Sequence, residues 1–316
     1  MSARRGVRRA SSRSHGPWLA LVLCLLAAGP ARAWQQATAG SLKLSWRTRQ
    51  ITYFVNDFAA PPPAKSAPDV CGTPASDAAA VAAAVQRSYD TWMQATHPGQ
   101  SAPCTDLKLI YGGTTPNIVV GADSQNIVVW RSGQCTAAVA PADPCWSSPG
   151  DCASKYNCWE GSEASTLALT TVSYGTSSGQ IFDADIELNG WDGQSVSPPG
   201  FYFTCADPPA ATCASLGQPG CIEWDVQNTV THEAGHVLGL GHNCDPGAPT
   251  CPDPLATMYP KAKMGETSKR DLQPDDIDGI CTLYPLDKGC GCGSTGAEGL
   301  LGLLGLLLLR VRKRRS

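Results

Sequence analysis

The sequence predicts a single α/β domain, a five-stranded sheet with three helices packed on it. Three observations carry this expectation. β-rich runs and helix-spaced apolar runs follow one another as strand, helix, four strands, helix, turn, helix; three of the chain's 5 histidines fall within eleven residues on and just after the second helix; and the connections between the later elements are rich in proline, glycine and cysteine. ITYFVND, residues 51–57, is the first strand, preceded by SWRTRQ. DAAAVAAAVQRSYDTWMQAT, 77–96, is a helix with Val81, Val85, Tyr89 and Trp92 on or near one face. DLKLIYGG and QNIVVWRSG are the next strands, followed by TLALTTVSY, 166–174, and IFDADIELN, 181–189. The last helix lies in LQPDDIDGICTLYP, where Pro274 suits a first helical turn.

The second helix, in WDVQNTVTHEAGHVLGL, has Asp225 at the N-cap position and Val226, Val230, Val237, Leu238 and Leu240 at helix-like spacing. His232 and His236, at i and i+4, stack on one face, so two imidazole nitrogens can approach one Zn²⁺. Glu233 points to the side, where its carboxylate reaches a water at the metal without ligating the metal; it is the candidate general base. Gly239 and Gly241 let the chain turn sharply and swing His242 back as a third ligand. Three neutral nitrogens leave one coordination position open, as in catalytic zinc sites; structural sites usually have four protein ligands.

The full HEAGHVLGLGH resembles the metzincin metalloproteases, and ATMYP, 256–260, is similar to their Met-turn, with Met258 beneath the metal. Over about residues 42–285 the order of elements resembles the matrixin branch, through SWRTRQITY, DADIELN, the zinc motif, ATMYP and DDIDGICTLY. The resemblance implies a metzincin-like mixed sheet of five strands with zinc in a cleft on the second helix. It also implies an extended substrate pairing with the backbone around Leu167 and Ala168, and a pocket walled by the segment after Met258, Tyr259 and Pro260.

Departures from the family pattern bear on cofactors. The positions of the family's second, structural zinc read Leu169 and Ile181, and only His15 and His97 remain outside the motif, so no structural zinc of that kind is expected. His97, beside Pro98, reads as an exposed helix-end residue without a role. Asp183 and Asp185 resemble part of the family's calcium element, but Ile186 stands where its second acidic ligand would be. The alternative is that Asp183, Asp185 and Glu187 form the solvated face of a strand. Cys71, in PDVCGTP, is similar to the cysteine that plugs the zinc in matrixin propeptides, but it follows the first strand instead of preceding it and reads as a disulfide partner.

Both ends read as processing signals. A basic start, the apolar WLALVLCLLAAG and ARA at 31–33 make 1–33 a signal peptide, with a mature chain from Trp34; the bulky Leu23 beside Cys24 argues against a lipoprotein site. Residues 34–288 form the catalytic domain. In 289–316 the apolar Gly299 to Leu309 is short for a membrane span and the basic Arg310 to Arg315 would stay cytoplasmic. This tail resembles the myxobacterial C-terminal sorting signal, with Cys290 and Cys292 before a short hydrophobic helix and an arginine cluster; the plainer reading is a short anchor. The resemblance implies a bacterial protein, a sorting protease acting near those cysteines, and display at the cell surface or outer membrane, the membrane being met only through the tail.

Between the two ends, residues 34–292 carry 13 Lys and Arg against 26 Asp and Glu, which speaks against nucleic acid as a partner. Setting aside Cys24, Cys290 and Cys292 leaves 12 cysteines, enough for six disulfides whose pairing the sequence does not give. Most lie in three insertions read as long cross-linked loops, either rimming the substrate cleft or simply stapled. The function expected is peptide-bond hydrolysis in an exported protein, on protein or peptide substrates. The competing class is a non-catalytic surface binding or adhesion module, against which the presence of Glu233 speaks. In matrixins a freed α-ammonium can pair with an aspartate of the final helix, here Asp275 or Asp276 with Trp34; the alternative, favoured by the usual mobility of termini, is a frayed end with both aspartates in water.

Overall fold

The computed structural model describes residues 33–57, 77–160, 165–190, 201–205, 211–214, 221–245 and 247–287. Five long strands, β1 (Gln50–Asn56), β2 (Lys108–Thr115), β3 (Asn126–Ser132), β4 (Ala168–Tyr174) and β5 (Gln180–Gly190), lie in the order β2-β1-β3-β5-β4. All neighbours are parallel except β4, which runs antiparallel to β5 at the sheet edge. The expected five strands are joined by a sixth: Ser45–Trp46 pairs in parallel with Gln180 and Ile181. The sequence reading missed this strand because two residues are too short to show periodicity. Trp46 is nonetheless an anchor, its indole donating to Val237 O (2.7 Å) and its amide to the Tyr284 hydroxyl (3.0 Å).

Three long helices pack as the apolar spacing predicts: α1 (Asp77–Met93), α2 (Val226–Val237) and α3 (Pro274–Leu283). Val81, Val85, Tyr89 and Trp92 of α1 are buried against Val226, Val230 and Ala234 of α2 and Ile186 and Leu188 of β5, making one continuous core. The Trp92 indole donates to Thr231 O (2.8 Å), so the two helices are also hydrogen-bonded. Asp225 caps α2 by accepting from Asn228 N, and Pro274 stands in the first turn of α3. Gly239 alone takes the left-handed turn after α2 (φ +85°), where a Cβ would meet Leu44 O at 2.6 Å. Gly241 instead lies in a two-residue strand paired with Gln35.

The first cysteine insertion is more ordered than a cross-linked loop. Cys135–Ala138 and Asp151–Tyr156 are short α-helices flanking a 3₁₀ turn, and Cys135–Cys158 and Cys145–Cys152 close a small second core with Val139 and Ala153. Four sulfurs at the centre let segments too short for helix periodicity bury a core of their own. Cys213–Cys221 and Cys244–Cys251 staple the other two insertions internally, Cys104–Cys281 ties α3 to the segment after α1, and Cys205 is also disulfide-bonded. Cys71, the signal peptide and the C-terminal tail lie outside the described residues.

The acidic row of β5 is not a solvated face. Asp183 and Asp185 are fully buried and Glu187 nearly so, because the 116–125 connection and the cysteine insertion cover that side of the sheet. Arg131 holds the cover in place, donating to Glu187 (2.6 Å), to Ile118 O (2.9 Å) and, in the insertion, to Ala153 O (3.0 Å). The N-terminal segment is likewise bound, against the expectation of a frayed end. The amides of Ala33 and Trp34 both donate to Asp275 Oδ1 (2.8 and 2.9 Å), and the Trp34 ring rests where Gly279 has no side chain. Asp276 is buried, accepting from the amides of Thr257, Met258 and Gln273. Among the described residues no helix is long and apolar enough to cross a membrane.

Candidate active site

The helix spacing and the Gly239 turn bring three imidazoles together. His232 Nε2 and His236 Nε2 each lie 3.2 Å from His242 Nε2. The Nδ1–H of His232 donates to Thr257 O (2.6 Å) and that of His236 to Leu240 O (2.8 Å). Carbonyls only accept, so these contacts fix the tautomer and leave both Nε2 lone pairs aimed at the shared centre. Burial holds His232 and His236 below the usual imidazole range and, with the charges of His236 and Lys269, brings His242 down to about 4. Three neutral, converging nitrogen donors fit Zn²⁺, and among the described residues this trio is a group able to hold a metal ion. The other such cluster, His97 with Cys104 and Cys281, has its sulfurs committed to a disulfide, and His97 faces Asp278 at 3.5 Å.

Beneath the trio, Met258 is buried and Gly235 makes room for it: a Cβ there would stand 2.3 Å from Met258 Sδ and 2.8 Å from Trp92 Cζ2. Asp276 bonds the amides of Thr257 and Met258, so the turn that orients His232 is itself fastened to α3. The DDIDG segment of the sequence gave no sign of this role, which depends on a contact between separate elements.

Glu233 is buried, and its Oε2 accepts from Thr170 Oγ1 at 2.6 Å. Burial raises its pKa to about 7, opposed by the Thr170 hydrogen bond and the charge of Lys269. Sequence reading singled out neither Thr170 nor Lys269. For Thr170 a signal existed: along β4 it alternates in phase with Ala168 and Val172, which pack on the core, while Leu169 faces out. Lys269 follows the Met-turn in a stretch without periodicity and gave none.

A cleft of ≈ 560 Å³ opens beside these groups, lined by His232, Glu233 and His242, by Leu167 and Ala168, and by Pro260. Tyr259 lines instead a neighbouring pocket under the Cys244–Cys251 loop. On the opposite face of β5, Asp185 accepts from Gly121 N (2.8 Å) and Ile127 N (3.0 Å), whereas the buried oxygens of Asp183 make no hydrogen bond of good geometry and have only the nearby amides of Asp123 and Ser124. Burial, then the charge of Asp123, raises Asp183 to about 6; burial raises Asp185 to about 8.

A family model described as Matrixin matches residues 159–285, the part of the chain that holds β4, β5, the histidines, the Met-turn and α3. Over 55 residues the chain is 49% identical to neutrophil collagenase of Homo sapiens, over 68 residues 41% identical to metalloendoproteinase 1 of Glycine max, and over 54 residues 44% identical to matrilysin of Homo sapiens. These stretches cover 17%, 22% and 17% of this chain and 10%, 19% and 17% of the respective relatives. The chain thus spans less than a fifth of the length of these relatives; its fold, a mixed sheet with few helices, agrees with the matches, and residues 159–285 are similar to the matrixin metalloproteases.

Proposed function

We propose that the chain is a metalloendopeptidase in which His232, His236 and His242 hold one Zn²⁺ and Glu233 is the general base. The observation that carries this reading is the convergence of three Nε2 atoms, those of His232 and His236 tautomer-fixed, beside a buried carboxylate at the mouth of a cleft. Bound zinc supplies Lewis acidity, making water more acidic and polarising a peptide carbonyl. Glu233 takes the proton from water and passes it to the leaving amine, with Thr170 holding the carboxylate in place. The edge of β4 opposite β5 offers backbone groups near Ala168 to an extended substrate. A binding module would keep metal and cleft without turnover. Hydrolysis of unfolded protein by the purified chain, abolished by a chelator and restored by zinc, tests the reading, and zinc binding without hydrolysis would favour the module.

Calcium belongs to the same proposal at Asp183, whose two buried oxygens make no hydrogen bond of good geometry and suit a hard cation; Asp185 serves the backbone instead. Residues 1–33 as an export signal, 34–288 as the catalytic domain and 289–316 as a sorting tail cleaved by a partner protease complete the reading of an extracellular or surface enzyme acting on protein or peptide. This part rests on composition and on the secreted chemistry of multiple disulfides.

A further inference from the structure

Lys269 is only 3% exposed, yet it lines the cleft together with His232, Glu233, Asn228 and Lys261. Its ammonium donates to Tyr259 O, which occupies one of three N–H bonds, and among the described residues no carboxylate forms an ion pair with it. The charges of Glu266, Glu233 and Asp276 reach it only from beyond ion-pair distance, so its burial is incompletely compensated, a cost the fold accepts at a rigid position. Lys269 N is bonded to Asn228 Oδ1 (2.9 Å), and the adjacent Arg270 pairs with buried Asp225, so the 3₁₀ turn Ser268–Arg270 is pinned to the start of α2 at two successive residues. A surface lysine would need no such framework. The cleft's charged side chains other than the histidines are two lysines and Glu233, in a domain that is otherwise strongly acidic.

We propose that this pocket is built to receive a carboxylate side chain, so that the enzyme cleaves on the amino side of glutamate or aspartate, with Lys269 as the specificity-determining cation. The inference rests on the endopeptidase reading. Glu233 must deliver a proton to the leaving amine, so the residue bearing that amine lies on the Glu233 side of the bond, where Asn228, Thr229 and Lys269 line the pocket. Leu167, Ala168, Pro260 and Ala262 provide apolar walls for the side-chain methylenes, and the free N–H bonds of Lys269 receive the carboxylate. Glutamine has the same length without the charge and would leave the ammonium uncompensated.

Two measurements on the zinc-loaded full chain test this. The first is a cleavage profile on a peptide library from a denatured proteome, scoring both residues flanking each cut. Glutamate and aspartate are expected to be enriched over glutamine and leucine just after the cut by about tenfold or more. Lys269→Met should collapse the glutamate-to-glutamine ratio, and Lys269→Arg should keep most of it. The second is calorimetric affinity for dipeptide hydroxamates that differ only in carrying a glutamate, glutamine or leucine side chain next to the zinc-binding group. This needs no turnover, so a chain that binds the acidic compound about tenfold more tightly but cuts nothing would refute the peptidase reading and leave the carboxylate pocket standing. Equal or better binding of the leucine compound, or an unbiased profile from the wild type, overturns the proposal, and the wild-type comparison decides even if Lys269→Met does not fold.

Discussion

Two buried polar centres lie on opposite faces of one strand, and they are satisfied in different ways. On the core side, each of two imidazoles spends one nitrogen on a carbonyl and keeps the other for a shared point. On the far side, Asp185 and Glu187 spend their oxygens on backbone amides and on Arg131, and Asp183 has no well-formed hydrogen bond, only the nearby amides of Asp123 and Ser124. What distinguishes a site for chemistry from a structural network is therefore the lone pairs left over after the protein has satisfied the rest. By that measure the histidine trio is open at the point its Nε2 atoms share, and the acidic row comes nearest to being open at Asp183.

The largest expected effect separates the two centres by activity. Glu233→Ala should lower hydrolysis about 10²- to 10⁴-fold while the protein still binds one zinc per chain by metal analysis; full activity in that variant would remove Glu233 from the mechanism. Asp183→Asn, by contrast, should leave zinc content unchanged. Next comes packing under the trio: in Gly235→Ala the new methyl meets Met258 Sδ and the Trp92 ring. Overpacking costs about 1–3 kcal/mol and better helix propensity returns about 1, so thermal unfolding should come a few degrees lower.

The acidic row predicts a pH dependence. Asp183 and Asp185 are raised from 3.8 to about 6 and about 8, so between those limits the folded chain keeps protons that the unfolded chain has released. Without divalent cations, their contribution makes stability fall as pH rises from about 4 to about 8. Millimolar calcium should flatten that slope in melting curves, and Asp183→Asn should remove the calcium response; an unchanged slope would leave the row purely structural. Of smaller size is Thr170→Val, which removes the donor to Glu233 and should cost about fivefold in kcat with zinc retained. The smallest effect belongs to the N-terminal clasp. Asp275→Asn keeps an oxygen acceptor for Trp34 N and should lower the melting temperature by about a degree or two, more in a chain that begins at Trp34 and carries a free ammonium.

How far each centre could be read from sequence follows from chain distance. His232, Glu233, His236 and His242 fall within eleven residues, so helix geometry and one glycine turn suffice to bring them together. Asp185 meets Gly121 and Ile127 across about sixty residues, and its burial depends on a connection whose course no periodicity announces. Alternation along β5 gave the correct face for Asp183, Asp185 and Glu187 but not what covers it. The long strands and helices were legible because each presents an apolar stripe; the two short helices around Cys135–Cys158 and Cys145–Cys152 present none, since sulfur does the work of the stripe. Cysteine parity anticipated extensive cross-linking, while partners such as Cys104 and Cys281, 177 residues apart, required the fold.

The Cys104–Cys281 bond has a consequence for how such a molecule ages among proteases. It closes a covalent ring that contains the cleft, all three histidines and every insertion. A single nick anywhere in that ring opens the circle without releasing a fragment, so a clipped molecule migrates as one piece until reductant is added. Cuts in exposed connections would then accumulate as hidden scars on a molecule that still holds together instead of ending its life.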